Sequence, residues 1–206
     1  KILNNVIKMT LPKRDNNKLF AKIIKRQAKN RLEDFREYTL DVESKFNADK
    51  KRLDRSYDDA INGLSECEIR EIYVSMYRKS TIVSVYSFLE NSLNNLCRNL
   101  CAKYGYPVTL VDLKGERIVR AKDYLEKLAK VDFSIPNGKW SDLQTLNKIR
   151  NCIVHCEGDI ESSKSTFQIQ NIVNNNSNLS LKDDRHIKIE REYVDFCITK
   201  TEDFLD

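Results

Sequence analysis

From residue 13 to about residue 63, apolar side chains recur at steps of three, four or seven. They are Leu32, Phe35, Val42, Phe46, Leu53, Tyr57, Ile61 and Leu64, and no Pro or Gly interrupts before Gly63. That spacing predicts one long helix, or two nearly continuous ones. The stripe is narrow and flanked by dense mixed charge. It therefore suits packing along one partner helix, which a second copy of the chain could supply.

Ser65 followed by Glu68 three residues on reads as a capped helix start. The helix it opens is expected to run to Tyr104 and stop at Gly105 and Pro107, with Ile82, Val85, Tyr86, Leu89, Leu93, Leu96 and Leu100 inward. Residues 108–119 read as an irregular or short extended link, and Arg120 to Val131 as a short amphipathic helix. After a turn at Pro136-Asn137-Gly138, Ser141 or Asp142 is expected to cap a helix that Gly158 stops. Leu179-Ser180-Leu181 and His186-Ile187-Lys188-Ile189 alternate around Lys182-Asp183-Asp184-Arg185, the pattern of a β-hairpin. Glu190 to Leu205 closes the chain as a helix with Tyr193, Phe196, Cys197 and Phe204 inward. The predicted organisation is all-α: a basic arm and long helix over 1–65, then a helical domain over 66–206 ending in the hairpin and helix.

Composition sharpens this picture. Five Gly and three Pro in 206 residues leave few turns, as long helices require. No apolar run approaches the roughly 20 residues of a membrane span. The start, Lys1-Ile2-Leu3-Asn4-Asn5, carries no apolar h-region and lacks Met, so a trimmed, non-secreted, cytoplasmic chain is expected. The net charge of +5 is uneven: residues 1–31 carry ten Lys or Arg against Asp15 alone, so the remainder is acidic. A basic arm on an acidic body points to a polyanionic partner, with Lys18, Lys22, Lys25, Arg26 and Lys29 as contacts; the plainer alternative is a solvated helix face. Cys97/Cys101 and Cys152/Cys156 are spaced to share helix faces, which serves either small core side chains or a zinc site. CxxxC is a weak zinc signal, and neither metal nor cofactor is expected.

The candidate chemistry lies in Leu146-Asn147-Lys148-Ile149-Arg150-Asn151-Cys152-Ile153-Val154-His155-Cys156-Glu157-Gly158. With Leu146 at zero on a helical wheel, Arg150 falls at about 40°, inside the apolar arc of Leu143, Ile149, Ile153, Val154 and Cys156; Asn151 falls near 140° and His155 near 180°. An Arg in an apolar arc needs an anion. That anion is either a structural carboxylate, for which Glu90 is the candidate, or a bound phosphate. His155 sits in the last turn, at the negative end of the helix dipole, which favours a cation. This suits a phosphate-facing His and equally a C-terminal cap.

Arg150-Asn151-x-x-x-His155-x-x-Gly158, late in an all-α domain, resembles the R-x4–6-H signature of the HEPN superfamily. Ser87-Phe88-Leu89-Glu90-Asn91 is similar to that family's helix bearing an acidic site residue, and order and spacing fit over roughly residues 66–160. The resemblance implies a four- or five-helix bundle that dimerises through the motif helices. It also implies a metal-independent endoribonuclease with Arg150, His155, Asn151 and Glu90 at the site, of the kind found among toxins and anti-phage effectors, with an antitoxin or sensor as a further partner. Other family members keep the fold without catalysis and bind RNA or protein, which is the alternative reading.

Overall fold

The structure is a computed structural model describing residues 16–53, 66–131, 133 and 138–206. Side chains are described from residue 24 to 48 in the first helix and from residue 68 in the second. The expected contributions of Leu53, Tyr57, Ile61 and Leu64, the Ser65 cap and the Pro136-Asn137 turn lie outside these residues. The fold is all-α, with a long N-terminal helix and a small hairpin before the final helix. In chain order come α1 (Asn16–Leu53), α2 (Glu66–Tyr104), a 3₁₀ turn (Leu110–Asp112), α3 (Arg117–Lys127), α4 (Gly138–Cys156), α5 (Thr166–Asn174), β1 (Leu179–Lys182), β2 (His186–Ile189) and α6 (Arg191–Leu205). No helix among the described residues is long and apolar enough to cross a membrane.

The chain divides into two compact units. Among the described residues, the first takes those up to 32, from 85 to 144 and from 199 to 206; the second takes those from 33 to 84 and from 145 to 198. In the first unit the α2 stripe buries Leu89, Leu93, Leu96 and Leu100, as the sequence pattern requires. Each such side chain contributes about 1.5–3 kcal/mol of burial. Gly105 ends α2 at φ 63°, its N–H donating to the Cys101 carbonyl at 2.9 Å. A left-handed residue there is the usual stop. Helix α3 begins at Arg117, three residues before the expected start, and buries Ile118, Ala121, Tyr124 and Leu125.

Helix α4 also starts early. Gly138, not Ser141 or Asp142, is its first residue. The first turn is held from outside: the Trp140 ring packs on Phe204 with centroids 5.8 Å apart, and Lys139 Nζ donates to the Asp203 carbonyl. Asp142, no longer needed as a cap, pairs with Lys200 at 2.9 Å.

In the second unit the hairpin forms as expected, with Leu179 opposite Ile189 and Lys182, read as part of the turn, instead ending the first strand opposite His186. Ile187 and Ile189 are buried, while His186 and Lys188 face outward. Asp183 and Asp184 both take positive φ, as a type I′ hairpin turn demands. Helix α5 has no counterpart in the sequence reading. Only Ile169 and Val173 are buried on it, and Phe167 is 79% exposed, so its apolar face is too thin to announce a helix.

Candidate functional site

The buried face of α4 differs from the wheel prediction, and the difference relocates Arg150. Leu143, Leu146, Ile149 and Cys152 are the buried apolar positions, whereas Val154 is 44% exposed. Steps of three on a helix of 3.6 residues per turn drift by about 60° each. The buried stripe therefore winds around α4 and, by its last turns, has left the side where Arg150 sits. Arg150 stands at the edge of the buried face, half-buried, rather than in its middle. Its Nη1 donates to Asn151 Oδ1 at 3.1 Å, so the amide that follows the Arg braces its guanidinium. His155 is exposed in the last turn of the same helix.

The end of that helix is elaborately fixed. Glu157 turns left-handed at φ 55° and Gly158 follows at φ 89°. The Gly158 N–H donates to the Cys152 carbonyl at 3.1 Å and the Asp159 N–H to the Cys156 carbonyl at 2.8 Å. Gly158 is thus the second of two left-handed residues that stop the helix. Lys79, from α2, donates Nζ to the Glu157 carbonyl at 3.0 Å. An ammonium at that position satisfies a terminal carbonyl and opposes the negative end of the helix dipole. Burial pulls the Lys79 pKa below its ordinary value.

The chain beyond the stop is stitched to the hairpin. The Ile187 N–H donates to the Gly158 carbonyl at 2.9 Å, the Ile160 N–H donates to the Arg185 carbonyl at 3.0 Å, and Asp159 pairs with His186 as a β-bridge. The Asp159 carboxylate accepts from Arg185 Nη2 at 2.6 Å, Ser162 Oγ at 2.6 Å and the Glu161 N–H at 3.0 Å. The Arg185 hydrogen bond, then that of Ser162, hold this carboxyl well below the usual carboxylate range. Both histidines of the chain are thereby attached to one local framework around residues 157–160.

Arg150, Asn151 and His155 all belong to the second unit, and Glu90 belongs to the first, half-buried on α2. Near Glu90 the buried Tyr86 phenol is pushed up, first by burial and then by the Glu90 charge. Of the arm's named cations, Lys25 pairs with Asp206 at 3.0 Å, and Arg26 and Lys29 are exposed. The side chains of Lys18 and Lys22 lie outside the described residues. The cysteines behave as thiols against backbone carbonyls: Cys97 donates to Ala121, Cys101 to Tyr106, Cys152 to Asp159 and Cys156 to Ser162. Burial pushes Cys97 up to about 12 and Cys152 up to about 11. Among the described residues, no three His, Cys, Asp or Glu side chains gather as a metal site would require.

Sequence reasoning missed an ionic cluster in the second unit. Arg78 Nε and Nη2 grip Glu43 at 2.7 and 3.0 Å, while Nη1 reaches the Ile189 carbonyl at 2.9 Å and Glu190 at 3.0 Å. The Glu43 side chain is only 4% exposed. Burial alone would lower the Arg78 pKa, but the Glu43 hydrogen bonds and charge outweigh it and the value is raised. The signal was present: Glu43 lies between Val42 and Phe46, inside the apolar stripe, where an acid demands a cation. No protein family, curated protein or solved structure matches this chain.

Proposed function

We propose that the chain is a metal-independent endoribonuclease of HEPN type. The observation that carries the reading is a half-buried Arg150, braced by Asn151, placed one and a half turns before an exposed His155 at a rigidly fixed helix end. Single-stranded RNA carries its own nucleophile, the 2′-OH. His155 accepts the 2′-OH proton, the O2′–P bond forms and the P–O5′ bond breaks, and a protonated imidazole returns a proton to O5′. The products are a 2′,3′-cyclic phosphate and a 5′-OH. Arg150 stabilises charge growing on the phosphoryl oxygens, and Asn151 keeps its guanidinium oriented. Glu90 tunes Arg150 or His155 in the resemblance on which this reading draws. DNA, lacking the 2′-OH, is not a substrate.

Along one regular helix the directions of Arg150 and His155 differ by about 140°. The site is therefore read as composite, formed by two motif helices near the twofold axis of a homodimer, with Arg150 of one copy beside His155 of the other. In the cell the protein acts on cytoplasmic RNA as a toxin or anti-phage effector, held in check by an antitoxin or sensor.

The test is induction in cells followed by mapping of RNA ends. Wild type should leave new 5′-OH ends, while His155→Ala and Arg150→Ala should leave none although each is folded. Full cleavage by a folded His155→Ala protein would falsify the mechanism. RNA binding by wild type without any cleavage would favour the non-catalytic binding module instead.

A further inference from the structure

The second unit holds a cavity of about 910 Å³ between α1, the first half of α2 and the hairpin. Its size falls at the upper end of the roughly 300–1,000 Å³ typical of ligand sites. Phe46, Ile72, Met76 and Ile187 give it an apolar lining, and Arg70, Lys79, Lys182 and His186 stand around it. Acids line it as well, and Lys188 on the same wall pairs with Glu190 at 3.4 Å. Glu43 and Glu190 are occupied by Arg78, and Glu71 and Asp183 are exposed, as are Lys182 and His186. Arg70 Nη1 donates to the Phe46 carbonyl at 3.1 Å, but its buried Nε–H meets no acceptor among the described residues. A buried guanidinium donor left without an acceptor is costly, and an arriving anion would supply what it lacks. Lys79 spends one N–H on the Glu157 carbonyl and has two others to give.

We propose that this cavity is a nucleotide subsite, in which one phosphate of a single-stranded RNA lies against Arg70 and Lys79 and its base covers Phe46 and Met76. The inference rests on the ribonuclease reading of Arg150 and His155 and extends it to the substrate's path. Cations beside an apolar floor match a nucleotide, which pairs a phosphate with a flat base and stacks on side chains with little regard to sequence. Continuity with the motif comes through Lys79. It lines the cavity and also holds the carbonyl of Glu157, two residues past His155. Strand β2, the opposite wall, is hydrogen-bonded to Gly158 through Ile187. RNA seated in the cavity therefore presents a neighbouring stretch of the same strand to the end of α4.

The test uses the full chain and a short single-stranded RNA bearing 2′-O-methyl groups, which cannot be cut, with binding read by fluorescence anisotropy over a salt series. Met76 is 62% exposed, so substitution there should spare the fold. Met76→Glu should weaken binding at low salt by about tenfold or more through like-charge repulsion, and should raise KM for unmodified RNA with kcat held. Met76→Lys should bind at least as tightly as wild type. Arg70→Gln should flatten the plot of log Kd against log salt by a slope of roughly 0.7, the loss of one single-strand phosphate contact. If Met76→Glu and Arg70→Gln bind and cleave as wild type does, the subsite is wrong while the reading of His155 stands. If the wild-type chain neither binds nor cuts RNA, both fall together.

Discussion

Arg78 joins three elements of the second unit, and its removal should be among the most damaging single changes available there. It reaches Glu43 on α1 by two hydrogen bonds, and the Ile189 carbonyl and Glu190 after the hairpin by one each. Its side chain is 13% exposed and that of Glu43 is 4% exposed, so little water can replace the guanidinium. Arg78→Met keeps the length and apolar stem but strands the Glu43 carboxylate. Breaking a buried pair this way costs about 3–5 kcal/mol. For a chain of this size that corresponds to a fall in Tm of roughly 6–20 °C. The Glu190 side chain, 39% exposed, can turn to solvent and adds little. Glu43→Met in the Arg78→Met background should restore part of the loss, because it removes the stranded charge. Urea and thermal unfolding of wild type, both single variants and the double variant close the cycle. A cost below about 1 kcal/mol for Arg78→Met, or a double variant as unstable as the two singles added together, would refute the assignment of this pair as a buried, mutually dependent unit.

Neutralising Lys18, Lys22, Lys25, Arg26 and Lys29 together should weaken RNA binding strongly at low salt and reduce its salt slope by roughly 0.7–0.9 per lost contact. Unchanged affinity and slope would reduce the arm to a solvated face. RNA cleavage should survive EDTA, and purified protein should carry no stoichiometric zinc. Zinc near one per chain, lost with helicity on chelation, would instead support the Cys97/Cys101/Cys152/Cys156 reading. The Asp159 carboxyl is held below its ordinary value by Arg185, so the stability it contributes is present above the unfolded-state pKa, near 3.8, and is lost as pH falls through the lowered folded value. Melting curves through the acid range should show Asp159→Asn less stable than wild type at neutral pH and the difference shrinking with acid. A constant difference would show that Asp159 acts through something other than its charge.

The parts of the fold written most plainly in the sequence are those governed by neighbours along the chain. Ile82 to Leu100 repeats its apolar residues at one helical face, and that stripe is buried; Gly105 stops the helix; the strands around Asp183-Asp184 alternate cleanly and pair as a hairpin. What the pattern could not carry was contact between distant segments. Glu43 sat in the apolar stripe and called for a cation, but nothing along the chain named Arg78, 35 residues on, as its partner. The early start of α4 depends on Phe204 and the Asp203 carbonyl, far along the chain from Gly138. The winding of its buried stripe moved Arg150 from the centre of the apolar face to its edge. Residue types at the candidate site were legible, as were the exposure of His155 and the stop near Gly158. Lys79, which completes that stop, was not.

The contact between Lys79 and Gly158 has an evolutionary corollary. A Cβ at position 158 would meet Lys79 Nζ at 3.1 Å and Cε at 3.3 Å, and the backbone there sits at φ 89°. Two separate constraints therefore act on the same codon: a side chain there would displace the Lys79 ammonium by a few tenths of an ångström, and the left-handed backbone would strain it. A shorter residue at 79 lifts only the first, because a left-handed backbone still penalises every side chain. Drift at 79 is thus possible while 158 stays glycine, whereas drift at 158 is not made permissible by any change at 79. In any lineage descending from this chain the dependence should run one way, with 158 as the fixed member and 79 as the one free to vary.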